Sequence, residues 1–413
     1  MAGPSRLGAE SGSFANRTPF RERLWAAALI AAFVAATACA DGTVSSMTVV
    51  DSAGVSIRTS AVTPEEIPSF AVEGPVLTLG RLEGEGPDVF GSVQQVMLAD
   101  DRLMVVDGVA RQIEVFDLNG THVTGVGRRG DGPGEYSLPV ILEATGDSIL
   151  VWDARDQRIS VFEANGRFAR SLQLQGGQRF TDLRRSGAGY VGSRTLPPVG
   201  PPQATDGLAL KRDSTQWARF SGAGVLEREL FAVPGRESLE SVTVLEGGLV
   251  QSRQASLPFF RSSHFAAQGS DLIGGPNDRA ELRRWSSEGE LLAIYRYPGL
   301  DSPITPADLD AWDGDLSAWL EYLPDMAPAF TALEVSDDGA IWLREFGLGD
   351  AESWLVLNAE TGDLLGRVAF PARFRLLSVA GGRAGGVWQN ELDVSFAHVY
   401  SVPTGLRAGA DLP

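Results

Sequence analysis

The chain has 413 residues, a single Cys and a formal net charge of −18 at neutral pH. One Cys excludes an internal disulfide, a Cys-x-x-Cys redox pair and a Cys/His zinc site, so the fold must hold by its core alone. The acidity argues against nucleic acid and anionic lipid surfaces as partners.

Residues 1–38 read as an export signal. Arg17, Arg21 and Arg23 give a positive region, residues 24–36 an apolar run too short to span a bilayer comfortably, and Ala36-Thr37-Ala38 a small-residue site before Cys39. This segment carries four Arg and two Glu, so the remainder carries −20. Small residues running directly into the only Cys resemble a bacterial lipobox. The resemblance implies cleavage before Cys39, thioether lipidation and N-acylation, a multi-chain anchor that holds stably on a membrane. Ala40, rather than Asp, follows the Cys. By resemblance to lipoprotein sorting this favours the outer membrane, facing the periplasm, over the inner membrane. The alternative is a plain signal peptide that ends near a Cys. No other run approaches the roughly 20 apolar residues of a membrane helix.

Residues 39–46 are small and polar, a lipidated tether. Residues 47–75 hold a hairpin and a loop: Thr48-Val49-Val50, a turn at Asp51-Ser52-Ala53-Gly54, then Val55-Ser56-Ile57 with period-two alternation. A further strand, 76–79, stands before the first repeat.

The next stretch holds one pattern twice. Gly84-Glu85-Gly86-Pro87 returns as Gly130-Asp131-Gly132-Pro133, Val105-Val106-Asp107 as Val151-Trp152-Asp153, and Ile113-Glu114-Val115-Phe116 as Ile159-Ser160-Val161-Phe162. Pro87 to Pro133, Asp107 to Asp153 and Phe116 to Phe162 are each separated by 46 positions. A fixed period in that range marks a propeller, solenoid or array built from one supersecondary unit. Each unit reads as four strands, and Asn119-Gly120 and Asn165-Gly166 are the matching hairpin turns.

Four later units keep the grammar. The third is split by a Pro-rich loop at 197–202 and followed by an apparent extra hairpin at 242–253. The fourth turns at Glu288-Gly289 and the fifth at Asp338-Gly339 and Thr361-Gly362. The sixth stops one strand short near Val402. Strand 76–79 supplies the missing outermost strand. The expectation is therefore an all-β fold: a six-bladed β-propeller of four-stranded antiparallel blades over 76–402. The ring is closed by an N-terminal strand, which protects the sheet edges. Residues 403–413 form a tail.

The two Gly-x-Gly-Pro elements, the Val-Val-Asp and Val-Trp-Asp strands, Ile-x-Val-Phe twice, Gly339-Ala340-Ile341-Trp342 and Gly385-Gly386-Val387-Trp388 resemble the six-bladed β-propeller lipoproteins, relatives of NHL-repeat propellers. The resemblance covers most of the mature chain and implies fold more than activity.

Chemistry is sparse. The Gly-x-Gly-Pro elements lack the following helix and the Lys of a phosphate loop, and read as tight turns between blades. Asp107 and Asp153 end second strands and read as acceptors for loop N–H groups. His122, His264 and His398 have no metal-ligand spacing. Glu143, Asp182 and Glu334 fall on inner strands and are the channel candidates. One insertion stands out. Thr305-Pro306 with Asp308 starts a helix predicted over about 306–322, whose face carries Leu309, Trp312, Leu316, Trp319 and Leu320. It is a lid over a pocket or, more readily, a helix packed on the flank.

Two functions follow. The first is a lipid-anchored binding or scaffold module in the bacterial envelope, with a protein or small-molecule partner, no nucleic acid and no cofactor. The second is a metal-dependent hydrolase or lyase of the lactonase kind, with Ca2+ or another divalent ion held in the central channel.

Overall fold

The computed structural model describes residues 47–196, 207–244, 250–312, 316–317 and 319–408. The expected signal and tether, the Pro-rich loop, parts of the expected helix (313–315 and 318) and the end of the tail lie outside the described residues.

The chain folds as a six-bladed β-propeller. The innermost strands are Val93–Ala99, Pro139–Ala144, Asp182–Ser186, Ser263–Gln268, Ala332–Val335 and Phe374–Ala380. Each touches the inner strand of the next blade, and the sixth touches the first. The second strands are near-continuous apolar runs because both of their faces are buried. In Arg102–Asp107, Leu103 and Val105 pack toward the sixth blade with Val387 and Val399. Met104 and Val106 point the other way, to Ile149 and Val151 of the second blade. Leu150 and Trp152 of that blade then turn toward the third. Strict alternation thus splits one sequence run between two interblade cores.

The N-terminal segment runs along the outer edges of half the blades. Hairpin Met47–Ser52/Val55–Ser60 joins the fourth blade, its second strand parallel to Leu291–Arg296. Ser69–Ala71, in the stretch expected as a loop, lies parallel to Leu364–Ala369 of the fifth. Leu77–Leu79 pairs antiparallel with Ser395–Ser401 as the outermost strand of the sixth.

Two expectations need correction. The segment at 242–253 is no separate insertion. Gly207–Phe220 and Leu226–Val244 form one long hairpin of the third blade, and Val250–Ala255 adds a fifth strand to it. A bulge at Gly235-Arg236, two residues opposite the single Asp213, interrupts the ladder beside Pro234, and the Asp213 carboxylate accepts the Arg236 N–H at 2.7 Å.

The predicted helix is also shorter. Among the described residues it runs over Pro306–Asp310, capped by Thr305, and a 3-10 turn follows at Leu320–Tyr322. Three Asp and a Gly within Asp310-Ala311-Trp312-Asp313-Gly314-Asp315 give poor helix propensity. Leu316 is buried while Leu320 is exposed, so the anticipated apolar face does not pack as one surface.

Candidate functional site

The repeat motifs resolve into scaffold. Arg81 pairs with Asp88 at 2.7 Å, closing the first Gly-x-Gly-Pro loop, and Arg128 pairs with Glu135 at 2.8 Å across the second. Gly84 and Gly86, with φ of 120° and 148°, make conformations open to Gly. Asp107 accepts the N–H groups of Gly91, Ser92, Val109 and Ala110 at 2.7–3.3 Å. Asp153 does the same for Ser137, Arg155 and Asp156 at 2.6–3.3 Å. Each carboxylate staples the loop entering its blade to the loop leaving the second strand.

Around the channel the three acidic candidates behave differently. Glu143 is taken by Arg185 at 3.3 Å, and that guanidinium also lies 5.1 Å from the Tyr190 ring. Asp182 pairs with Arg184 at 3.1 Å, and both act electrostatically on Glu334. Glu334 retains some accessible surface, yet it sits deep in the inner wall. Desolvation pushes its carboxyl from 4.5 up to about 7, opposed by Arg184 and aided by Asp182. His264 lies 5.8 Å from the Phe330 ring, and burial, with Arg344 and Arg184 nearby, pushes its imidazole down to about 4. Among the described residues, no three His, Cys, Asp or Glu are arranged to hold a metal ion.

A raised native pKa favours folding at low pH, where the carboxyl is protonated in both states. That contribution is lost as pH rises from 4.5 through about 7. Glu334→Gln is therefore expected to gain melting temperature relative to wild type across that window and to show no further change above it. A difference independent of pH would contradict this placement of Glu334.

The other two His are structural. His122 hydrogen bonds Glu114 at 2.7 Å, and His398 stacks on Trp388 at 5.0 Å. Trp312 and Trp319 are half-buried, and neither lines a described cavity.

One open concavity was missed by the sequence reading. It is a cleft of about 450 Å³ formed by the fifth, sixth and first blades, with Arg344, Glu352, Arg373 and Arg375 in its wall. The repeat explains it. Asp107 pairs in register with Val93, the first residue of its inner strand, and Arg344 pairs with Ala332 in the same relation. The fifth blade thus carries Arg where the first two carry the stapling Asp. Its loop, residues 345–352, doubles the four residues 108–111 of the first blade. Glu352 supplies the missing carboxylate from that loop, pairing with Arg344 at 2.7 Å and accepting the Leu376 N–H and the Trp354 indole N–H, both at 3.0 Å. Loss of the Asp and the longer loop, both visible in the sequence, were the signal.

Residues 82–141, one repeat with the turns on either side, match a family described as 6-bladed beta-propeller, DUF5128. No protein of curated function matches the chain. Solved structures similar to it include a protein described as exported, from Bacteroides fragilis, at 11% identity and a TM-score of 0.46, covering 81% of this chain and 99% of that one. A member of the duf4221 family from Bacteroides vulgatus has 13% identity and a TM-score of 0.43, with 80% and 97% covered. Virginiamycin B lyase from Staphylococcus aureus has 11% identity and a TM-score of 0.36, with 74% and 94% covered. Likeness at this level concerns fold and says nothing of what the chain binds.

Proposed function

We propose that the chain is an extracytoplasmic binding module, held on the bacterial envelope by lipid at Cys39, and that its ligand site is the cleft beside Arg344. The observation that carries this reading is the break in the repeat. Where the first two blades close their mouths with an Asp staple, the fifth places Arg344, a longer loop and an open polar cleft. A concave site with a few convergent charged groups suits a small molecule better than a flat protein surface. The −20 charge of the mature chain disfavours nucleic acid.

The channel-centred hydrolase or lyase needs several ligands at one end. Asp182 is instead paired with Arg184, within electrostatic reach of Glu334, and Glu143 is held by Arg185, which supports the binding reading.

A side chain added at Gly347 would enter open space, with no atom within 4 Å, on the rim of the cleft. In a thermal-shift screen of small polar compounds on the mature chain, hits are expected to lose their effect on Gly347→Trp while its own melting temperature stays put. Hits that stabilise both proteins equally would place binding elsewhere.

The anchor has its own test. Cys39→Ser is expected to abolish labelling by a palmitate analogue and release the protein from membranes; equal labelling would refute it. The outer membrane, facing the periplasm, is the favoured site because Ala40 follows the Cys.

A further inference from the structure

A second cavity of about 290 Å³ lies between the fourth and fifth blades. Leu282, Leu355 and Leu357 form its blade walls, and Leu300 and Ala329, at either end of the inserted segment, also line it. Glu345 and Phe346 line both this chamber and the cleft, so they stand between the two. The Glu345 charge is already satisfied: Arg367 donates to both carboxylate oxygens at 2.8 Å and the Ser353 hydroxyl donates at 2.5 Å. The half-buried Phe346 ring is thus the threshold from a polar mouth into a mostly apolar chamber, whose charged residues Glu281, Arg367 and Asp308 are already bonded to neighbours.

The charges of the mouth balance. Arg344 is paired with Glu352, and Arg373 with Asp393. Arg375 and Asp350 remain, both exposed and both lining the cleft, with no side-chain partner among the described residues. One unpaired cation and one unpaired anion fit a ligand head that carries both signs.

We propose that the cleft and chamber together hold one zwitterionic amphiphile. Its anionic group meets Arg375, its cationic group meets Asp350, and its apolar body passes Phe346 into the chamber. This assignment of ligand class rests on the binding reading above. At about 30 Å³ per water the chamber has room for about ten water-sized units, enough for a short alkyl chain.

The test uses three probes on the mature chain by titration calorimetry below their micellar concentrations: 2-aminodecanoate, decanoate and decylammonium. The zwitterion is expected to bind tightest. Arg375→Gln is expected to weaken 2-aminodecanoate and decanoate about fivefold and leave decylammonium unchanged. Asp350→Asn is expected to weaken 2-aminodecanoate and decylammonium and spare decanoate. Fivefold matches about 1 kcal/mol for an exposed ion pair. Ala329→Leu, which fills the chamber, should weaken all three at least tenfold. The two charge variants change exposed residues, so they carry the test even if the filled core melts early. Failure of 2-aminodecanoate to bind, or binding that no variant alters, overturns the proposal. If the screening hits still vanish on Gly347→Trp, only the ligand class falls; if they do not, the cleft reading falls with it.

Discussion

A mature chain lacking residues 47–79 is expected not to fold cooperatively. This segment looks like a peripheral extension, but it edges three blades. Val62, Ile67 and Leu79 are 4%, 5% and 7% exposed. At roughly 1.5–3 kcal/mol for each buried side chain, their loss removes about 5–9 kcal/mol. A whole domain commonly stands on about 5–15 kcal/mol. The deletion also bares the outer edges of the fourth, fifth and sixth sheets, which invites edge-to-edge association. Deleting residues 40–45 alone should change nothing, and Leu79→Ala should cost about 2–4 kcal/mol. Differential scanning calorimetry decides. A cooperative transition within a few degrees of wild type in the long truncation would show that the ring holds without its N-terminal strands.

The second large effect is expected at the staples. Asp153 is 2% exposed, and Asp153→Ala leaves the N–H groups of Ser137, Arg155 and Asp156 without their acceptor. The Ser137 donor is buried and costs roughly 1–3 kcal/mol when stranded, while water reaches Arg155 and Asp156 and offsets most of their loss, so a net loss of about 2–4 kcal/mol is expected in denaturant unfolding. Asn is no simple rescue, because its amide turns two donors toward N–H groups where the carboxylate offered only acceptors. Asp107→Ala should behave alike, since Asp107 holds four such bonds. A loss under about 1 kcal/mol in both variants would mean that the loops hold by packing and that the repeated Asp is incidental.

These residues also show why the fold was legible. Asp107 and Asp153 do the same local work in two blades, so selection for one geometry leaves one spacing. The alternation in Leu103-Met104-Val105-Val106 is equally local, each residue being assigned to one of two interblade cores. The edge strands were harder. Ser69–Ala71 is three residues long and gains its partner some 300 positions away, at Arg367–Ala369, so no local pattern marks it. The long hairpin of the third blade was hidden because its strands run past the usual blade length and carry Pro234 and a bulge at Gly235-Arg236, which interrupt the alternation. The helix failed for the opposite reason: its cap was real, but the apolar spacing beyond it was not matched by helix-forming residues.

The site was less legible than the fold. Glu334 and Asp182 were singled out for their inner-strand positions and do come within electrostatic reach, but Glu143 does not join them. The cleft draws on residues from Ser92 to Ser395, brought together only because the first and sixth blades meet. Its local signature is the Arg at position 344 with the longer loop after it, since the third, fourth and sixth blades also lack the Asp there and carry Ser193, Pro276 and Trp388.

The most direct measurement is a crystal structure of the mature chain with the strongest compound from the thermal-shift screen. The account predicts that the compound lies in the cleft between the Glu345–Ser353 loop and Arg375, with Arg344 still held by Glu352. A compound seated instead in the central channel, against Asp182 and Glu334, would contradict it and return the channel to first place as the functional centre.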